Sequence, residues 1–162
     1  MDDLFAPSDV SWTPVSPKLA SVRRVNAAIL FGVLGLVALL VLGMTLSWVY
    51  GVLALLVAVG GFAWSSALIG RNQRSWKYAE REDELLVSHG ILFRELVVVP
   101  YGRMQFVDVA AGPLERAFGI ATVELHTATP ATDAKIPGLH PDEASRLRDR
   151  LSALGQAQAW GL

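Results

Sequence analysis

Two long apolar runs, Val25–Met44 and Leu46–Ile69, lie almost back to back, and neither contains a charged residue. Only Thr45 separates them. A helix rises about 1.5 Å per residue, so each run spans roughly 30 Å, which is the thickness of the hydrocarbon core of a bilayer. The runs therefore predict an integral membrane hairpin of two helices.

A single long helix is the alternative to a hairpin. The combined run is about twice as long as a bilayer requires. Small and polar residues that suit a turn cluster in its middle: Gly43, Thr45, Ser47 and Gly51. We therefore predict a hairpin with Trp48 and Tyr50 near the outer interface of the bilayer that it spans.

The excess of apolar residues is confined to these runs. The chain has 162 residues, of which 52% are hydrophobic, and its mean hydropathy of +0.40 exceeds that of an ordinary soluble domain. From Arg71 onward the composition is that of a small soluble domain with enough residues for one core. A net charge of -1 gives no bias toward nucleic acid, and the lack of cysteine excludes disulfides and thiolate chemistry.

The composition divides the chain into four segments. Residues 1–22 form an N-terminal segment, residues 23–70 the membrane hairpin, residues 71–155 a cytoplasmic domain, and residues 156–162 a tail. The first segment is not a cleavable signal peptide, because its apolar run starts too late and is too long. Trp12 precedes the first span, so it belongs either to the interfacial aromatic belt or to a mobile tail.

Basic residues flank the hairpin at both of its ends, whereas the turn between the helices carries no charge. These residues are Lys18, Arg23, Arg24, Arg71, Arg74 and Lys77. Lys and Arg beside a span are retained on the cytoplasmic side. We therefore predict a multi-pass protein with both termini and the C-terminal domain in the cytoplasm.

Small residues recur along one face of the second helix at alternating spacings of four and three: Ser47, Gly51, Ala54, Ala58, Gly61 and Ser65. A shorter small face on the first helix consists of Ala28, Gly32 and Gly35. Helices in lipid gain packing energy by close approach across such residues. Two arrangements fit this pattern: the faces pack against each other within the hairpin, or part of the stripe packs between protomers.

The domain after the second span is predicted to be mainly β-structure. Strands are predicted over residues 76–80, 84–88, 91–99, 104–110, 120–127 and 134–137. Within 120–127 apolar and polar residues alternate, as in a half-buried antiparallel strand. His89-Gly90 is predicted to be a two-residue hairpin turn, because glycine readily adopts a positive φ. Residues 112–119 are predicted to be a loop.

A helix is predicted to end the domain. Pro141 suits its first turn, Asp142 and Glu143 lie at the positive end of its dipole, and Gly155 offers a stop. The apolar face of this helix consists of Ala144, Leu147, Leu151 and Leu154. Antiparallel strands and one terminal amphipathic helix predict a curled sheet or open barrel whose exposed end is covered by the helix.

Four motifs follow one another in the domain: Val99-Pro100-Tyr101-Gly102-Arg103-Met104-Gln105, Gly112-Pro113-Leu114-Glu115-Arg116-Ala117-Phe118-Gly119-Ile120-Ala121, Leu125-His126-Thr127-Ala128 and Ile136-Pro137-Gly138-Leu139. Together with Trp76 and the two-helix anchor, these motifs resemble the bacterial PH-like domain of small YdbS-like membrane proteins. The resemblance implies a pleckstrin-homology-like fold and a non-enzymatic role at the bacterial inner membrane. It also implies a homo-oligomer or a complex with a related membrane PH-like protein.

The first hairpin loop of the predicted domain argues against a phosphoinositide site. Lipid-binding PH domains resemble one another in a basic loop at this place, which holds the head-group phosphates. The equivalent loop here is Arg81-Glu82-Asp83-Glu84, and its three carboxylates repel a polyphosphate. Specific phosphoinositide recognition is therefore not expected.

No constellation of side chains indicates catalysis or a metal centre. His89, His126 and His140 lack the spacing of metal ligands. Glu124 and His126 share a strand face, so a proton-transfer pair is conceivable, but a solvated polar face is the simpler interpretation. We therefore predict that the protein is not an enzyme and needs no cofactor or metal.

The remaining candidate is a partner contact made of aromatic and arginine side chains, a mixture typical of interfaces: Tyr101, Arg103, Arg116 and Phe118. Both arginines follow turns that contain proline, so we expect them to converge at one end of the sheet. The alternative is that they pair internally with Asp108 or Glu115 and hold the loop in shape. Exposed strand edges offer a second route, by strand addition or self-association.

The sequence thus predicts a membrane-anchored, non-catalytic PH-like interaction or assembly module. Its predicted partners are the lipid bilayer and either a second copy or another membrane PH-like protein, and not nucleic acid. The resemblance alone implies a role in envelope maintenance or in resistance to membrane-active toxins. A membrane-tethered sensor of lipid head groups is the alternative function.

Overall fold

The structure is a computed structural model that describes residues 10–128 and 133–160. The described chain divides into two compact units: residues up to Leu19 together with those from Asn72 onward, and Ala20–Arg71. The elements are β1 (Thr13–Pro14), α1 (Lys18–Thr45), α2 (Trp48–Ser75), β2 (Lys77–Glu80), β3 (Glu84–His89), β4 (Glu95–Pro100), a 3-10 turn (Tyr101–Arg103), β5 (Met104–Ala110), α3 (Pro113–Phe118), β6 (Ala121–Thr127), β7 (Ala134–Leu139) and α4 (Pro141–Trp160).

Both apolar runs form helices, which confirms the predicted hairpin. In the turn between them, the backbone N–H groups of Leu46 and Ser47 both donate to the Leu42 carbonyl oxygen at 3.0 Å. The Ser47 hydroxyl accepts a 3.3 Å hydrogen bond from the backbone N–H of Val49, as a helix N-cap does. Both helices are long and apolar enough to cross a membrane, and only 6% and 0% of their most apolar stretches are buried. Helices this exposed are not the core of a soluble domain.

The segment before α1 packs onto the domain that follows α2. β1 pairs antiparallel with β2, and the backbone N–H of Ser16 donates a 2.9 Å hydrogen bond to the Gly138 carbonyl. The ammonium group of Lys77 lies 4.7 Å from the centre of the Trp12 ring. Trp12 therefore lies on the surface of the domain in this structure.

The domain contains two antiparallel sheets. The first has the strand order β1-β2-β3-β4, and the second has the order β5-β6-β7. No strand pairing joins the two sheets within the described residues. The sheets therefore do not close into a barrel, and the predicted open PH-like architecture is confirmed.

The core is built from inward-facing strand residues and one face of α4. Every second residue of β6 is buried, as its alternation predicted: Ala121, Val123, Leu125 and Thr127. In α4, Leu147 and Leu151 are fully buried where the helix packs on β5, β6 and the 3-10 turn. Burying one leucine side chain stabilises a fold by about 1.5–3 kcal/mol. α4 is thus an integral part of the core.

The segment predicted as a loop at 112–119 contains the short helix α3, so that prediction is wrong. A carboxylate oxygen of Glu115 accepts a 2.8 Å hydrogen bond from the backbone N–H of Gly112, which satisfies an end group of the helix. Gly119 ends the helix in the left-handed conformation, with φ 65°. The sequence signal for this helix was a segment with Pro113 and Glu115 in its first turn, preceded by Gly112 and followed by Gly119.

The predicted two-residue turn at His89-Gly90 is also wrong. His89 pairs with Glu95 in the sheet, so the connection between β3 and β4 is Gly90–Arg94. β4 accordingly begins at Glu95 and not at Ile91. Cross-strand pairing sets this register, and a glycine alone does not reveal it.

Candidate functional site

Tyr101 is a core residue, so the prediction that it contacts a partner is wrong. Its side chain is fully buried, and its hydroxyl donates a 2.9 Å hydrogen bond to the Arg81 carbonyl. Its backbone N–H donates to the Asp83 carbonyl at 3.0 Å. Burial raises the pKa of Tyr101 to about 12, and the nearby Glu80 carboxylate adds to the shift. Tyr101 thus fastens the connection between β2 and β3 to the 3-10 turn.

Arg103 and Arg116 lie beyond opposite ends of β5, so they do not converge as predicted. The seven-residue strand separates them by roughly 20 Å, at about 3.3 Å per residue. Both side chains are exposed, and neither forms an ion pair within the part of the chain that the structure describes. The Glu115 carboxylate binds the Gly112 N–H and the Thr122 hydroxyl, at 2.8 and 3.0 Å. The predicted internal pairing is therefore not formed.

Phe118 is half-buried in α3, so no single surface gathers the predicted contact residues. A better-defined site is a groove of about 370 Å³ between β5 and α4. Phe106 is 51% exposed in this groove, and its ring stacks on that of His126 with 4.4 Å between centroids. The groove is lined by Met104, Gln105, Phe106, Val107, Leu151, Ser152, Gly155 and Gln156.

β5 presents a strand edge beside this groove. It pairs with β6 on one side, and no strand pairs with its other side in residues 10–128 and 133–160. Such an edge offers backbone N–H and C=O groups to an added strand. Sequence reasoning anticipated edge contacts but named no residue. The available signal was that Phe106 and Val109 place apolar side chains on both faces of β5.

Charged side chains fix α4, which forms one wall of the groove, to β2. The Glu80 carboxylate lies 2.8 Å from the Arg146 guanidinium and 3.0 Å from that of Arg150. The Tyr78 hydroxyl donates a 2.8 Å hydrogen bond to Glu143, and burial together with this bond raises the pKa of Tyr78. The hydrogen bond from Arg146 holds the pKa of Glu143 below its usual range.

Glu124 and His126 form a polar face with charged neighbours. The Lys135 ammonium lies 2.8 Å from the Glu124 carboxylate, whereas His126 lies 4.0 Å from it. Asp133 accepts hydrogen bonds from the backbone N–H of Thr127 and from His126, and these hold its pKa below the usual range. Among the described residues, no three His, Cys, Asp or Glu side chains are placed to hold a metal ion. This arrangement gives no positive evidence of catalysis.

The small-residue stripe of α2 faces α1 at several positions. A methyl group added to Gly51 would lie 2.6 Å from the Leu39 carbonyl oxygen, and one added to Gly35 would lie 3.0 Å from the Ala58 methyl. The helices therefore approach closely where side chains are smallest. All stripe residues are buried or half-buried: Ser47, Gly51, Ala54, Ala58, Gly61 and Ser65. These contacts favour packing within the hairpin.

The flanking basic residues lie at the helix ends remote from the turn. They are Lys18, Arg23 and Arg24 at the start of α1, Arg71 and Arg74 at the end of α2, and Lys77 at the start of β2. This placement agrees with the charge pattern from which the orientation is predicted.

The connection between β2 and β3 is acidic and is closed by contacts within the domain. The Arg81 guanidinium lies 2.9 Å from the Glu84 carboxylate. The Gln158 amide donates a 3.3 Å hydrogen bond to the Asp83 carboxylate. The arginine of this connection is thus paired with a carboxylate, and the connection is not a basic pocket for phosphate.

Two apolar helices, two open antiparallel sheets and a C-terminal helix define a membrane protein with a PH-like domain. The chain matches the family described as Bacterial PH domain over residues 22–155. It is 36% identical over 109 residues to the UPF0699 transmembrane protein YdbS of Bacillus subtilis (strain 168), with 67% of each chain covered. The chain therefore belongs to the bacterial PH domain family, which confirms the resemblance. No solved structure matches it.

Proposed function

We propose that this protein is a non-catalytic interaction or assembly module that holds a PH-like domain at the cytoplasmic face of a bacterial inner membrane. The observation that carries the proposal is the edge of β5 beside the groove against α4. In strand addition, main-chain hydrogen bonds supply affinity and pockets for alternate side chains supply specificity. Here the edge of β5 supplies the main-chain hydrogen-bonding groups, and the groove around Phe106 supplies a pocket for a side chain of the partner.

The proposed partner is another membrane PH-like chain, either a second copy or a related protein. β4 is a second edge strand among the described residues. The β5 edge of one chain could therefore pair with the β4 edge of another. Confinement of both partners to one membrane raises their effective concentration, so a weak contact suffices. A role in envelope maintenance or toxin resistance follows from the family resemblance alone and stays a prediction.

Photocrosslinking in native membranes tests the groove. A photoreactive residue at Gln105 should capture a PH-like protein, whose mass distinguishes a second copy from a relative. Ser152→Trp fills the groove and should abolish the adduct, whereas Ala157→Trp places the same side chain on an exposed position of α4 and should not. No protein adduct at Gln105, or one that survives Ser152→Trp, would contradict the proposal.

The orientation of the hairpin is part of the proposal, because the domain must face the cytoplasm. Since the chain has no cysteine, single introduced cysteines can be labelled without background. In spheroplasts, a membrane-impermeant maleimide should label Thr45→Cys directly and Glu82→Cys only after permeabilisation. The reverse labelling pattern would place the domain on the other side.

A lipid-head-group sensor remains the alternative from another functional class. The acidic connection between β2 and β3 does not favour it, because carboxylates repel phosphate. Hydrogen exchange of the full chain in nanodiscs separates the two functions. A sensor that uses this connection would gain protection at residues 81–84 when anionic lipid is added, whereas an interaction module would not.

A further inference from the structure

The connection between β3 and β4 carries the most exposed apolar side chains of the domain. Leu92 is 89% exposed and Phe93 is 91% exposed, and Ile91 beside them is 38% exposed. Every other large apolar side chain that the structure describes in the domain is at most 51% exposed. Two adjacent apolar side chains at a loop tip mark a surface that another apolar phase covers.

The connection is fastened to the last residue of α2. The backbone N–H of Gly90 donates a 3.0 Å hydrogen bond to the Ser75 hydroxyl, and the His89 ring stacks on Trp76 with 4.3 Å between centroids. The apolar run of α2 ends at Ile69, so roughly 9 Å of helix separates it from Ser75. The polar layer on each side of a bilayer core is about 5–8 Å thick. The base of the loop is therefore tied to a residue near the lipid head groups.

Charge distinguishes the two ends of β3. The end that carries Leu92 and Phe93 also carries two basic residues, Lys77 and Arg94. Its exposed carboxylate, Glu95, lies 3.8 Å from the His89 ring. The opposite end carries the exposed carboxylates of Glu82 and Asp83. Anionic lipid attracts Lys and Arg near its surface and repels carboxylates. The charge pattern thus favours the loop end, and not the acidic end, at the membrane.

We propose that Leu92 and Phe93 insert into the leaflet in which α2 ends, at the level of the head groups and upper acyl chains. The loop is then a second membrane contact of the domain, in addition to its covalent link to α2. Trp76 lies at the base of this contact, where an indole ring is favoured at a membrane interface. Two attachment points limit how far the domain swings on its tether. This inference does not depend on the groove between β5 and α4.

Gly90 gives the loop a defined shape before it meets lipid. Its φ of 104° lies in a region that favours glycine. A methyl group at Gly90 would lie 1.8 Å from the Phe93 carbonyl oxygen. Only glycine therefore allows the two ends of the loop to approach so closely, and the fold itself presents the apolar tip.

Spin labelling of the full chain in nanodiscs tests the insertion. Ile91→Cys, labelled with a nitroxide, keeps Leu92 and Phe93 in place, and Glu82→Cys reports the opposite end of β3. We expect the label at 91 to collide more often with oxygen and less often with a water-soluble nickel complex than the label at 82. Equal nickel accessibility at the two positions would overturn the proposal.

Two comparisons identify what protects the label at position 91 from the nickel complex. Leu92→Asp with Phe93→Asp should abolish the protection at position 91, whereas Phe93→Leu should retain it, and both changes affect side chains with few internal contacts. Protection that persists in the double Asp variant would overturn the proposal. Protection that is lost when each nanodisc holds a single copy of the chain would assign it to contact between protein chains, and this outcome would also overturn the proposal.

Discussion

The two connections that flank β3 have opposite character. The one between β2 and β3 is acidic, and its polar groups are bound by the buried Tyr101 and by Gln158 at the domain surface. The one between β3 and β4 holds Leu92 and Phe93 almost fully exposed. Since a well-packed strand joins them, the exposed apolar pair is not a sign of a poorly formed core. The comparison separates a connection that the protein completes by itself from one that needs lipid.

The largest loss of stability is expected from changing Tyr101, which binds the acidic connection between β2 and β3. Tyr101→Ala removes a buried aromatic ring and its hydrogen bond to Arg81, and should lower the free energy of unfolding by about 3–5 kcal/mol. Tyr101→Phe keeps the ring and should cost about 1 kcal/mol. Chemical denaturation in mild detergent measures both changes. Equal stability of the two variants would show that the ring does not close this connection.

A smaller effect is expected at the base of the apolar connection. Gly90→Ala forces a side chain into a backbone conformation with φ 104° and against the Phe93 carbonyl, so it should cost about 1–3 kcal/mol. Gly112→Ala is the matched control, because Gly112 has a φ of -68° and space for a methyl group. The thermal midpoints of the two variants test this difference. A tolerated Gly90→Ala would mean that the loop shape is not fixed by the fold.

The sequence predicted features that are repeated over many residues. The apolar runs identified the membrane helices, and alternation identified β6. The bounds of β5 also agree with the prediction for residues 104–110. Each of these patterns is a local consequence of which face of an element is buried. A single misjudged residue does not change them.

The errors concern features that distant contacts decide. Tyr101 follows a proline, a setting typical of an exposed turn, but its burial depends on Arg81 and Asp83, which lie on another connection. The turn at His89-Gly90 was misplaced because pairing with Glu95 sets the register. The groove was missed because it joins β5 to α4, which are far apart in the chain. Such contacts leave no periodic signal in a single sequence.

Acid should weaken the link between α4 and β2, near the acidic end of β3. The folded-state pKa of Glu143 lies below its ordinary value of 4.5, chiefly because Arg146 donates a hydrogen bond to it. Its ionised form therefore stabilises the fold above that value, and this contribution is lost as the pH falls through the lower folded-state pKa. The pair is partly exposed, so we expect at most about 1 kcal/mol. Glu143→Gln should lose less stability than the wild type between about pH 6 and pH 3, and superimposable pH curves would exclude this contribution.

The smallest effect on stability is expected at the apolar tip itself. Leu92→Ser with Phe93→Ser should change the free energy of unfolding in mild detergent by less than about 0.5 kcal/mol, because the domain makes few contacts with either side chain. Leu85→Ser, in the fully buried part of β3, should lower the free energy of unfolding several times more, since it leaves a polar group in the core. A large loss in the double Ser variant would mean that the tip packs against protein. A negligible loss would show that the fold does not need these two apolar side chains, as expected of a surface that lipid covers.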